Sequence, residues 1–114
     1  MQDALSATLS ALADPTRRAI LARLASGEAS VEELARPFDI SRRAVSKHVG
    51  VLERAGLVTR GRDAQRRPSR LQLKPLKEVD SWLESYRRLW EGRFDQIDGL
   101  LAQIRDGKID DPRS

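Results

Sequence analysis

Residues 30–56 read SVEELARPFDISRRAVSKHVGVLERAG, and this stretch decides the fold. Ser30-Val31-Glu32-Glu33 has the form of a capping box, in which Ser30 accepts from the Glu33 N–H while the Glu33 side chain reaches back. A short helix over 31–38 follows, limited by Pro37, with Leu34 and Phe38 as its apolar contacts. Asp39-Ile40 makes the turn. Ser41 then caps a second helix over 42–55, which Gly56 ends. Two helices joined by a tight turn form a helix-turn-helix unit, whose second helix is built to enter the major groove of DNA.

In that second helix Val45, Val49 and Leu52 recur at i, i+4 and i+7 and must face the core. Arg43, Ser46, Lys47 and Gly50 then point outward together, and Arg42 lies in the first turn. Arginine donors suit guanine O6 and N7, and Ser and His side chains can bind phosphate or bases. Ser41, Arg42, Arg43, Ser46, Lys47 and His48 are therefore the candidate DNA-binding residues of this helix. His48, the sole histidine, lies at the edge of the core face, which suits a structural or a phosphate-contacting role. Gly50 costs a helix about 1 kcal/mol relative to Ala. Either it permits a close backbone approach, or it has no role.

Downstream, residues 57–62 and 69–73 read as two short strands, with Leu71 and Leu73 on one face and Arg70 and Gln72 on the other. Together they make a hairpin with a polar tip around Asp63-Ala64-Gln65, and they carry Arg60, Arg62, Arg66, Arg67 and Arg70. An arginine-rich hairpin directly after a helix-turn-helix is a wing that can lie along the DNA backbone or dip into the minor groove. Arg62, Arg66, Arg67 and Arg70 are its candidate DNA contacts.

Upstream, Leu5, Leu9 and Leu12 mark a helix over 3–12, and Asp14-Pro15 starts another that carries Ile20, Leu21 and Leu24 and stops near Gly27. The last helix starts near Pro75 and reaches about Ile104. Its apolar face includes Val79, Trp82, Leu83, Tyr86, Trp90, Phe94, Ile97 and Leu101. A helix of that length, roughly 45 Å, exceeds what one small domain can cover, so the surplus should pair with a second copy. The fold class is mainly α with a small β-hairpin wing, a winged helix-turn-helix in the order α-α-α-α-β-β-α. Residues 1–105 form that domain, with dimerisation helices at both ends, and 106–114 form a flexible tail.

Bulk properties agree. Of 114 residues, 39% are hydrophobic and 33% charged, which fits one foldable domain rather than a disordered chain. No apolar run approaches a membrane span, and the N-terminus lacks the features of a signal peptide, so the expected location is the cytoplasm. The chain has no cysteine, which excludes disulfides and thiolate metal sites. The net charge is +4, yet residues 41–74 hold ten Lys/Arg against two acids and carry +8. A local basic block of this kind marks a polyanion site.

Two motifs carry a family likeness. Ala13-Asp14-Pro15-Thr16-Arg17-Arg18-Ala19-Ile20-Leu21, and Ala44-Val45-Ser46-Lys47-His48-Val49 followed by Leu52-Glu53-Arg54-Ala55-Gly56-Leu57-Val58, resemble the ArsR family of winged-helix regulators over about residues 5–100. The resemblance implies a homodimer built from the first and last helices, with Leu5, Leu9, Trp82, Tyr86, Trp90, Phe94, Ile97 and Leu101 as dimerisation residues. It also implies repression of a promoter, often the regulator's own. Residues 82–94 are similar to a non-metal branch of the family, often encoded beside a small START-like protein. Metal-sensing members carry a Cys-x-Cys-type motif on the third helix, or histidines paired with carboxylates on the last. Here the third helix reads Glu33-Leu34-Ala35-Arg36-Pro37-Phe38 and the last has no histidine. The sequence therefore predicts a dimeric repressor on an inverted-repeat operator, with no metal and no cofactor. An enzyme is rejected for want of a nucleophile, base or carboxylate pair at a convincing site. A winged-helix protein-interaction module without DNA binding is the alternative, and the basic block argues against it.

Overall fold

The computed structural model describes residues 3–61 and 67–106, Phe94 by its backbone only. The elements are α1 (Ala4–Leu12), α2 (Pro15–Leu24), α3 (Val31–Ala35), α4 (Arg42–Arg54), β1 (Val58–Arg60), β2 (Ser69–Leu71) and α5 (Lys74–Arg105). This is the winged helix-turn-helix order that the sequence predicts. The first compact unit spans Met1–Val79 and the second Asp80–Ser114.

Each of the first four helix starts has a side chain that satisfies a first-turn N–H. Asp3 Oδ1 accepts from Ser6 N at 2.6 Å, and Asp14 Oδ2 from Arg17 N at 3.0 Å. Ser30 and Glu33 close the capping box, and Ser41 Oγ accepts from Ala44 N at 3.1 Å. Helix α4 ends in a Schellman motif: Leu57 N donates to Leu52 O at 2.9 Å and Gly56 N to Glu53 O at 3.0 Å. The φ of +79° at Gly56 is the left-handed conformation that this motif requires.

Two sequence expectations are corrected. Helix α3 stops at Ala35, not Phe38, because Pro37 brings no N–H to the Glu33 carbonyl and the ladder fails there. The strands are only three residues each, in the register Val58↔Leu71, Thr59↔Arg70 and Arg60↔Ser69. Leu73 lies beyond the ladder and is 54% exposed, because the chain has already turned towards Lys74, where α5 starts. The far edge of β2 is bridged once, with Ala29 and Ser69 exchanging backbone bonds of 3.1 and 2.8 Å.

The core of the first unit collects Ile20, Leu21 and Leu24 from α2, Leu34 from α3, Val45, Val49 and Leu52 from α4, and Leu57 and Val58. The turn between α1 and α2 is held by two arginines. Arg17 donates from Nε to Ala11 O at 2.7 Å and from Nη2 to Ser10 O at 3.2 Å, while Arg18 Nη1 donates to Leu12 O at 2.7 Å. The bonds to Ala11 and Leu12 serve carbonyls at the end of α1, and Ser10 O accepts from Ala13 N as well, at 3.2 Å. In the second unit, Trp82, Tyr86 and Trp90 stack edge to face along α5, with centroids 5.0 and 5.7 Å apart.

The bond from the Arg17 N–H holds the Asp14 carboxyl below its ordinary range, with His48 and Arg17 adding to the effect and burial opposing it. A depressed folded value means that the stabilisation is complete above the unfolded value of about 3.9 and is lost as pH falls through the folded one. Wild type should therefore exceed Asp14→Ala in Tm at pH 6–7, and the gap should close as pH drops below about 4. Melts across that range test this; a gap that stays constant or widens in acid would refute the linkage.

Candidate nucleic-acid interface

Helix α4 buries Val45, Val49 and Leu52 completely. Arg43, Lys47, Gly50 and Arg54, at i, i+4, i+7 and i+11, fall on the opposite side and form a second stripe. With Ser46 and Val51 they line a shallow concavity of about 420 Å³. The structure thus brings Arg43, Ser46, Lys47 and Gly50 together. It adds Arg54, which the sequence reading counted only as charge although its spacing from Lys47 and Gly50 placed it on this stripe. Arg42 and Ser41 are exposed at the start of the helix, with the Ser41 oxygen engaged as the cap.

His48 stands apart from this stripe. Its Nδ1 lies 3.5 Å from Arg17 Nη1 and 3.9 Å from Asp14 Oδ2, so the ring joins α4 to the turn between α1 and α2. The wing arginines also divide. Arg70 pairs with Glu28 at 2.5 Å on the outer face of the ladder. Arg60 turns the other way, towards α4, and donates from Nη2 to Ser46 O at 3.2 Å. Arg60 belongs to the arginine-rich hairpin but not to its candidate DNA contacts, and in a strand that alternates faces it shares the inner face with Val58. Arg67 is exposed, with φ +42°. Arg62 and Arg66 lie outside the described residues.

Of the candidate dimerisation residues, Leu5 and Leu9 are half-buried on α1. Trp82 (36%), Tyr86 (40%), Trp90 (53%), Ile97 (51%) and Leu101 (50%) are exposed on α5. The side chain of Phe94, and residues 107–114 of the expected tail, lie outside the described residues. Among the described residues no group of three or more His, Cys, Asp or Glu could hold a metal ion, and no helix is long and apolar enough to cross a membrane.

Comparison with known proteins places this geometry. A helix-turn-helix domain family model matches residues 12–61. The chain is 60% identical over 48 residues to the HTH-type transcriptional regulator Rv2034 of Mycobacterium tuberculosis, a match covering 42% of this chain and 45% of that protein. It therefore spans less than half the length of that relative. Identity to the transcriptional repressor SdpR of Bacillus subtilis is 30% over 76 residues, covering 67% of this chain and 84% of the repressor. Among solved structures, the ArsR family transcriptional regulator RHA00566 superposes with a TM-score of 0.74 at 39% identity, covering 78% of this chain and 98% of that one. The homodimeric winged helix-turn-helix DNA-binding domain Mb0332 of Mycobacterium bovis superposes with a TM-score of 0.61 at 26% identity, covering 76% and 82%.

A Cβ added at Gly50 would meet Arg54 Nη1 at 3.5 Å and Arg60 Nη2 at 4.0 Å, ordinary van der Waals contacts. Gly50→Ala should therefore stabilise the free protein by about 0.5–1 kcal/mol through backbone entropy. Chemical denaturation measures it, and a loss of stability would show that the methyl displaces the two guanidinium groups.

Proposed function

The chain belongs to the ArsR family of winged helix-turn-helix transcriptional regulators, and on that premise we propose that it is a cytoplasmic, homodimeric, sequence-specific DNA-binding repressor. Its own promoter is among its targets in this reading, and it does not respond to metals. The observation that carries the proposal is the α4 stripe of Arg43, Lys47, Gly50 and Arg54, set opposite a fully buried apolar stripe. Arginine and lysine on an outward helix face supply both phosphate neutralisation and donors for base edges. The repressor named among the relatives supports the direction of regulation.

The second unit supports the dimer. Leu83, Tyr86, Trp90, Ile97, Leu100 and Ile104 keep the alternating three- and four-residue spacing of a helix seam, interrupted at Arg93. Leu83, Tyr86, Trp90, Ile97 and Leu100 are each 40% exposed or more, an apolar area that a second copy would cover. The relative that forms a homodimer supports the same reading. A two-fold dimer presents two α4 helices to successive major grooves about 34 Å apart, which demands an inverted repeat.

The test is capture of genomic fragments, the chain's own promoter among them, followed by titration in salt. Binding should fall steeply, with each neutralised phosphate adding about −0.9 to the log–log slope. Arg43→Ala and Lys47→Ala should abolish selective binding and leave Tm nearly unchanged, since neither touches the core. Salt-insensitive binding, or none, would favour a protein-interaction module instead.

Zinc, cadmium and arsenite should leave the complex intact. Soft metals require thiolates, and the chain has no cysteine and one histidine. Asp106, Asp110 and Asp111 offer only hard oxygens, the last two outside the described residues. Stoichiometric release by micromolar metal after chelator treatment would overturn this part of the proposal.

A further inference from the structure

Arg60 ends β1, but its guanidinium is committed to α4. Nη2 donates to the Ser46 carbonyl at 3.2 Å, Nε stands 3.7 Å from Glu53 Oε1, and only 16% of the side chain is exposed. Nε has no hydrogen-bond partner among the described residues. Ser46 and Glu53 are two turns apart, so a single planar group bridges most of the helix. A carbonyl inside a helix has a second lone pair, but an outside donor reaches it only where the neighbouring side chains leave room. The Ser46 carbonyl is such a place. A Cβ at Gly50 would stand 4.0 Å from Arg60 Nη2, an ordinary contact, so the bond to Ser46 does not depend on a glycine at that position. The outward stripe on α4 and the wing are thus joined through one arginine.

We propose that Arg60 is a positioning residue for sequence discrimination: it fixes the rotation of α4 against the wing and touches no phosphate. This rests on the DNA-binding reading above. Base-edge contacts from Arg43 and Lys47 tolerate little rotation, because directed hydrogen bonds need tight geometry, whereas phosphate attraction is forgiving. A lysine at 60 would keep the charge but could not donate to Ser46 and face Glu53 at once.

Arg60→Lys and Arg60→Gln in the full chain test this. The probes are a duplex that the wild type selects from a random library and a scrambled duplex of equal length. Both variants should lose preference for the selected duplex roughly tenfold, the scale of one misread base pair, with an unchanged salt slope on the scrambled one. An Arg60 that touched phosphate would do the opposite: Arg60→Gln would weaken both duplexes alike and lower the slope by about 1. That result, or wild-type preference in Arg60→Lys, overturns the proposal. Hydrogen exchange of the free protein is the second measurement, and Arg60→Lys carries it should Arg60→Gln not fold. Amides of residues 46–53 should exchange faster than in wild type, and unchanged protection also overturns the proposal. A wild type that selects no duplex defeats the DNA-binding reading, and this inference with it. A wild type that selects one, beside an equally selective Arg60→Lys, defeats this inference alone.

Discussion

Val45, Val49 and Leu52 are wholly buried, and their spacing sets, to within one residue, which face α4 turns to the core, leaving only a fine rotation for the Arg60 contact to limit. Turning the helix by one residue would carry Ser46 and Gly50 into the core and bring Leu52 out, at a loss of roughly 1.5–3 kcal/mol for the leucine alone. A further turn in the same direction would bury Lys47, which no described acid stands ready to neutralise. The direction of Arg43, Lys47 and Arg54 is therefore a consequence of core packing. The remaining helices serve the same constraint: Ile20, Leu21, Leu24 and Leu34 form the surface that receives α4.

The arginines differ in what they are available to do. Arg17 and Arg18 spend their donors on the carbonyls at the end of α1, and Arg70 is paired with Glu28. Arg60 is folded against α4. A charge count over residues 41–74 treats all cations there as equal, whereas the structure leaves Arg42, Arg43, Lys47, Arg54 and Arg67 exposed, with no acidic partner among the described residues.

Much of the fold is legible in the sequence because its signals are local. Asp14-Pro15, the Ser30–Glu33 capping box, Ser41 and Gly56 each act within one helical turn, and each works as its chemistry dictates. The outward face of α4 is legible for the same reason, being fixed by the period of three apolar residues. What the sequence hides is the partner of each long side chain. Arg60 and Arg70 sit ten residues apart in one charged hairpin, and only the strand register sends them to opposite faces. His48 finds Asp14 and Arg17, 34 and 31 positions away, through tertiary packing alone.

For the DNA-binding role proposed above, this division separates affinity from selectivity. Exposed cations act through a long-range field that tolerates disorder, so exchanging Arg43 for lysine would keep attraction to phosphate while losing a bidentate fork. A braced helix contributes nothing to that field, yet it decides whether a fork arrives in the plane of a base edge. The brace is made of parts that carry no sequence information themselves: a backbone carbonyl and a carboxylate on the same helix. Selectivity can therefore change through residues that never meet a base, and substitutions at Arg60 or Glu53 belong in any account of which operator this chain reads.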